Sequence, residues 1–314
     1  MSNLSSRILV ALIAIPLILL ASSAGGFYFF SFIAVISGLS LVEFYSLAKA
    51  KGASPQVTMG LVFGLCLQSV FLYHRLQYLF LEELAKHDLH VPMPTQAQMF
   101  MILFLLFVPL ILLVELFRNK GSALLNIGST LSGVCYVSLF LGAFVGLREL
   151  FIPGDFPVYR YFDVPGLSVP VQTVETIDRW GGWTIMVVLA SIWVCDSAAF
   201  FVGKALGRHK LFVRVSPNKT WEGAVAGFFG ATAVFLLARY FLLQYLTLSQ
   251  TLVCAVIVGV FGQLGDMVES LMKRDAGVKD SSSIIPGHGG VFDRFDSLIF
   301  VAPLLFFYLD FIVF

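Results

Sequence analysis

The stretch "QMFMILFLLFVPLILLVELF", residues 98–117, runs for twenty residues with a single charge, Glu115. As a helix rising 1.5 Å per residue it reaches about 30 Å, the thickness of a bilayer's hydrocarbon layer. Working outward, comparable apolar runs lie at roughly 8–24, 27–48 and 57–80 before it, and at 122–147, 182–203, 223–247, 251–272 and 296–314 after it. Lipid offers no partner to open backbone groups, so each run is expected to be a helix. The expected fold class is all-α: a polytopic membrane protein of about nine transmembrane helices.

Composition agrees. The chain of 314 residues is 58% hydrophobic and 12% charged, with 32 Phe and a mean hydropathy of +0.90. A soluble domain carries about 25% charged residues. A net charge of +1 gives no footing for nucleic acid, and no such partner is expected. Cys66, Cys135, Cys195 and Cys254 each sit alone in an apolar run and read as buried free thiols, without zinc spacing.

Basic residues orient the spans. Counting loops alternately from a cytoplasmic N-terminus puts fourteen Lys/Arg on that side: Arg7, Lys49, Lys51, Arg118, Lys120, Lys204, Arg208, Lys210, Arg214, Lys219, Lys273, Arg274, Lys279 and Arg294. Arg75, Lys86, Arg148, Arg160 and Arg179 fall opposite, and Arg239 stays within a span. The positive-inside rule therefore predicts a cytoplasmic N-terminus and an outside C-terminus. The first span, ending in "ASSAGG", also has the look of a signal peptide with a small-residue cleavage site.

Two regions are expected: residues 1–180, with five spans and a long outside loop, and residues 181–314, a catalytic membrane region of four spans with polar loops. The loop from Arg148 to Trp180 reads as solvated. His87 and His90 stand at a spacing open to metal, but in an exposed loop they read as unimportant.

Three polar features break the apolar pattern, all on the predicted cytoplasmic side. Asp196 lies inside a span, where an ionisable group needs a partner, water or a cation. The loop Gly203–Gly223 ends in "SPNKTWEG", where Ser216, Asn218 and Thr220 offer donors and helix caps, Lys219 a point charge and Glu222 a carboxylate at a helix start. A helix N-terminus beside a lysine favours phosphate. In "GQLGDMVESLMKRD", Asp266, Glu269 and Lys273 share one helical face, which must therefore look into the bundle or a wet cavity. The loop beyond adds Lys279, Asp280, His288, Asp293, Arg294 and Asp296, with glycines at 277, 287, 289 and 290 whose amides can approach an anion closely. Carboxylates without sulfur suit a hard cation, magnesium first, and the Lys/Arg suit phosphate oxygens. No GxxxxGK[ST] run is present, so this is not a P-loop.

The segment "SLMKRDAGVKDSSSIIPGHGGVFDRFD", Ser270 to Asp296, resembles the signature of the phosphatidate cytidylyltransferase (CDP-diacylglycerol synthase) family. "CDSAAFFVGKALGRHKL" and "SPNKTWEG" are similar to the family's two other polar motifs, in the same order; Phe200 stands where tyrosine is common and Asn218 where a second lysine is common. The likeness covers roughly the last 130 residues. It implies a membrane enzyme that joins CTP to phosphatidate, with Mg²⁺ on Asp266 and Asp293, a second, monovalent cation such as K⁺, and a homodimer. A bacterial cytoplasmic membrane is the expected location, with the site on the cytoplasmic face.

The expected roles follow. Asp266, Lys273, Arg274, Asp293 and Arg294 are the catalytic candidates. Asp196, Ser216, Asn218, Lys219, Thr220, Glu222, Glu269, Lys279, Asp280, His288, Gly289, Gly290 and Asp296 are the substrate-binding candidates. A phosphate monoester is largely ionised near neutral pH, so no strong general base is required. The alternatives are a CTP-dependent, polyprenol-type lipid kinase and an ion transporter using Asp196, Asp266 and Glu43. The DG-x-x-AR run of a CDP-alcohol phosphotransferase is absent.

Overall fold

The computed structural model describes residues 3–87, 91–152, 154, 156–164, 169–285 and 289–314. The expected spans appear as α1 (Asn3–Ala24), α2 (Gly26–Ala50), α3 (Val57–Leu81), α4 (Gln96–Arg118), α5 (Ala123–Glu149), α6 (Val171–Leu206), α7 (Trp221–Phe241), α8 (Leu248–Asp275) and α9 (Phe292–Val313). Among the described residues the eight from α2 onward are long and apolar enough to cross a bilayer, while the apolar part of α1 is the shorter stretch Leu12–Ala24. Thr95 and Thr247 open α4 and α8 with reciprocal caps: each side chain accepts from the amide three residues on, and Gln98 or Gln250 reaches back.

The charge in the run quoted first is not left to lipid. Glu115 is 6% exposed. Its carboxylate accepts from Gln56 Nε2 at 2.9 Å, Asn126 Nδ2 at 2.6 Å and Arg118 Nη1 at 2.8 Å, which ties α4 to the start of α5. A buried carboxylate persists only with such partners.

Tyr45, Phe29, Phe144, Leu141, Phe292 and Val301 pack the main core, where α2, α5 and α9 meet. A smaller cluster of Phe63, Leu67, Ile111 and Val134 joins α3, α4 and α5. α6 packs along α7, and α8 along α9. A methyl group on Gly223 would stand 2.6 Å from the Ala199 carbonyl, so only glycine lets α7 sit this close to α6.

Among the described residues three helices widen into π turns: Val134–Leu139 in α5, Ile257–Phe261 in α8 and Leu309–Val313 in α9. Such turns concentrate near functional sites. The one in α8 directly precedes the polar stripe. Gln263 Nε2 donates to the Gly259 carbonyl at 2.6 Å and to Ala224 O of α7 at 3.0 Å.

Two expectations change at the opposite end of the bundle. α6 begins at Val171, well before the expected position 182. Its first turns are polar and escape a hydropathy reading, yet they are tied to the bundle: Ile177 is fully buried, and the exposed Asp178 pairs with buried Arg148 at 2.6 Å. The region read as a solvated loop is also packed where it is described. Phe151, Phe156 and Tyr161 gather with Trp180, Tyr245 and Phe314, at ring-centroid distances of 5.2–6.4 Å. Its aromatic residues are too widely spaced for an apolar run, which is why composition alone hid them.

Arg148, 1% exposed, also donates to Ser22 O at 3.0 Å, and its neighbour Glu149 accepts from Gly26 N at 3.2 Å and Arg75 Nε at 2.8 Å. The small-residue stretch after the first span is thereby held inside: Ala21, Ser22, Gly25 and Gly26 are buried. His87 is exposed beside Glu83, and His90 lies outside the described residues. All four cysteines are free; Cys195 and Cys254 are buried, Cys66 and Cys135 half-buried.

Candidate active site

The ends of α6 and α8 and the starts of α7 and α9 share one end of the bundle, because each pair is joined by a short polar connection. Gly265 sets the closest approach. A methyl group there would lie 2.7 Å from Phe300 Cβ and 2.8 Å from Asp296 O, so glycine is what lets α8 lie against α9 at this level. The next residue is Asp266. Asp266, Glu269 and Asp296 each present a carboxylate oxygen within 4.8 Å of the others. Asp196 on α6 feels the charges of Asp266, Lys219 and Arg294.

Cations ring the acids. The hairpin β1 (Lys210–Phe212) and β2 (Ser216–Thr220) pairs Lys210 with Thr220, turning a stretch expected as loop into a short antiparallel ribbon. Lys219, near its end, reaches Asp266 Oδ2 at 2.7 Å, both side chains about a third exposed. Thr220 caps α7 by accepting from Gly223 N at 3.2 Å, as expected of a threonine there. Glu222 folds back to accept from His209, 2.6 Å from its Nδ1. Ser216 is half-buried and Asn218 exposed.

Lys273 is buried between two carboxylates, 2.6 Å from Glu269 Oε2 and 2.7 Å from Asp293 Oδ1. The ion pair Glu269–Lys273 thus exists, but as part of a larger network. Asp293 is filled from the other side too: its Oδ2 accepts from Ser281 N at 2.9 Å, Ser281 Oγ at 2.9 Å and Gly290 N at 2.7 Å. Glu269 stands between Asp266 and Asp293, in contact with the latter. Both its oxygens are buried: Oε2 is taken by the Lys273 ammonium, while Oε1 accepts no hydrogen bond. Tyr136 Oη from α5 and Ser297 Oγ are likewise buried and unpartnered, and Tyr136 feels the charges of Asp296 and Glu269.

The remaining candidates line the rim. Arg274, Lys279, Asp280 and Arg294 are exposed; Arg274 Nη1 donates to Val278 O at 3.0 Å, closing the turn after α8. Gly289 is left-handed, φ 81°, and pairs with Ile285, while Gly290 is buried against Ser281 and Glu43. His288 lies outside the described residues, with Pro286 and Gly287. Sequence reasoning missed Glu43 of α2 as part of this assembly; its only signal was a lone acid in an apolar run.

A divalent ion fits these residues. Three carboxylates converge, Glu269 Oε1 is buried there without a donor, and among the described residues the ligand atoms of the cluster are all oxygen. Orphaned buried polar atoms of this kind call for a missing partner.

Eight bilayer-length helices around such a polar end make this an integral membrane protein. The family model described as "Cytidylyltransferase family" matches residues 5–312, so the chain belongs to that family of nucleotidyltransferase enzymes. A phosphatidate cytidylyltransferase of Synechocystis sp. is 33% identical over 315 residues, 97% of this chain and 96% of that protein. The enzyme of that name from Bacillus subtilis is 45% identical over 139 residues, 43% of this chain and 51% of its own. One from Staphylococcus aureus is 47% identical over 121 residues, 38% and 46%. The resemblance carried by Ser270–Asp296 thus extends along nearly the whole chain.

Proposed function

We propose that the chain transfers the cytidylyl group of CTP to phosphatidate, forming CDP-diacylglycerol and pyrophosphate. A phosphatidate phosphate oxygen attacks the α-phosphorus; the new O–P bond forms as the α–β bridging bond breaks, and its electron pair leaves with pyrophosphate. The observation that carries this reading is the convergence of Asp266, Glu269 and Asp296 beside Lys219 and Lys273, with Glu269 Oε1 buried and without a donor.

Asp266 and Asp296, with Glu269 behind them, would hold the divalent metal that the family implies, magnesium by donor type, which supplies neutralisation of phosphate charge. Asp293, the other expected ligand, adjoins Glu269 and is committed to Lys273, Ser281 and Gly290. We assign it to holding the loop before α9 and, through Lys273, the orientation of Glu269. Lys219, Arg274, Lys279 and Arg294 bind the two anionic substrates, and positioning with charge neutralisation is the main catalytic device. Asp196, Ser216, Asn218, Asp280, His288 and Gly289 stay assigned to the nucleotide and loop. The excess of Lys/Arg in alternate loops supports a site facing the cytosol of a bacterial inner membrane. A monovalent cation and a homodimer come from the resemblance alone.

The test is incubation of the detergent-purified protein with labelled CTP, phosphatidate and Mg²⁺. A CDP-lipid and pyrophosphate are expected, and a chelator removes both. CDP with a phosphorylated alcohol, formed when a polyprenol replaces phosphatidate, would replace this reading by the kinase one. Asp266→Asn and Asp296→Asn are expected to abolish product while the protein still inserts and purifies.

A further inference from the structure

Glu43 is 2% exposed, in the middle of α2, more than 220 residues before the signature segment. Among the described residues its carboxylate takes four hydrogen bonds, all from that segment. Oε1 accepts from Ser282 Oγ at 2.6 Å and Val291 N at 3.0 Å; Oε2 accepts from Ser281 Oγ at 2.9 Å and Phe292 N at 2.7 Å. The donors come from both ends of the loop that joins α8 to α9. One carboxylate therefore ties the loop's entry to its exit.

The same bonds finish a helix. The first amides of α9 have no partner within it, and Glu43 supplies an acceptor and a negative charge where the helix dipole favours one. Ser281 links this clasp to the site: its hydroxyl contacts both Glu43 Oε2 and Asp293 Oδ2, each at 2.9 Å. Asp293 in turn holds Lys273, which holds Glu269. Gly290 closes the fit, since a Cβ there would run into Glu43 Oε2 and Ser281 Oγ. Beside it Phe44 packs edge-on against Phe292, centroids 6.2 Å apart.

We infer that Glu43 is a positioning residue for the reaction: from α2 it holds Ser281, Ser282, Val291 and Phe292, and through Ser281, Asp293 and Lys273 it sets the geometry of the acidic cluster without touching substrate. The inference rests on the transfer chemistry proposed above.

Glu43→Gln keeps the shape but turns one acceptor oxygen into a donor facing two donors. The purified variant is expected to elute as the wild type does, with kcat lowered about 100-fold, the scale of an ångström's misplacement, and KM for CTP nearly unchanged. Ser282→Ala removes one of the four bonds and is expected to lower kcat less. In the double variant the two losses do not add, because they share a bond. Wild-type kcat in folded Glu43→Gln protein overturns the inference, as does a loss confined to the yield of folded protein. Should Glu43→Gln fail to fold, Ser282→Ala decides: reduced kcat supports the clasp and wild-type kcat removes it.

Hydrogen exchange separates this inference from the chemistry. The Val291 and Phe292 amides are expected to be protected in the wild type and to exchange rapidly in Glu43→Gln, whatever the product assay gives. Exchange unchanged by the substitution overturns the clasp; a wild type that makes no CDP-lipid overturns the reaction.

Discussion

Lys273 shows how much one side chain can be asked to do. It is 8% exposed and neutralises two acids that would otherwise stand together unpaired. Removing one member of such a buried group typically costs about 3–5 kcal/mol, so Lys273→Met is expected to lower thermal stability by that order as well as abolish turnover. A thermal melt of the purified variant checks the first part. Lys219 differs: it is partly exposed and pairs with Asp266 at the open edge. Lys219→Ala is expected to leave the melt nearly unchanged and to raise KM for CTP, which initial-rate kinetics would show. At this scale the sequence was informative wherever charge interrupts an apolar helix. Asp266, Glu269 and Lys273 were visible because their spacing marks one face. Glu43 stood out only as a lone buried acid, and its tie to the loop before α9 was not legible, because its partners lie 238 to 249 residues away.

Among the elements, the pairing of α8 with α9 matters most, since it carries Asp266 to Asp296. Gly265→Val is expected to force the two helices apart at the level of the acidic cluster, with an overpacking cost of about 1–3 kcal/mol. Product formation should fall further than the melt does, and the two measurements on one preparation test that. Helix existence was legible from apolar length, but helix ends were not. The start of α6 at Val171 lies in "VQTVETIDRW", where one buried residue, Ile177, and the Asp178–Arg148 pair hold the helix and leave no trace in hydropathy. The hairpin at Lys210–Thr220 was hidden for the complementary reason: two very short strands within a basic loop give no alternation long enough to read.

Across the molecule, α6 joins two differently built ends. From Asp178 to Asp196 is eighteen residues, about 27 Å of helix. One end holds the open acidic site; the other holds Arg148, locked onto Ser22, Asp178 and the Gly25–Gly26 joint. Arg148→Met would leave the end of α1 without its donors. The expected loss is about 1–3 kcal/mol of stability, with kcat per folded molecule unchanged, checked by a melt and a titration of active protein.

The clasp at Glu43 also bears on biogenesis. The second helix leaves the ribosome long before the serines and amides that will satisfy its acid have been made. Until α9 docks, that carboxylate lacks the hydroxyls and amides that satisfy it in the folded protein, a costly state for an acid within an apolar helix. Assembly of the acidic cluster is therefore coupled to the arrival of α9, whose first amides the same acid receives.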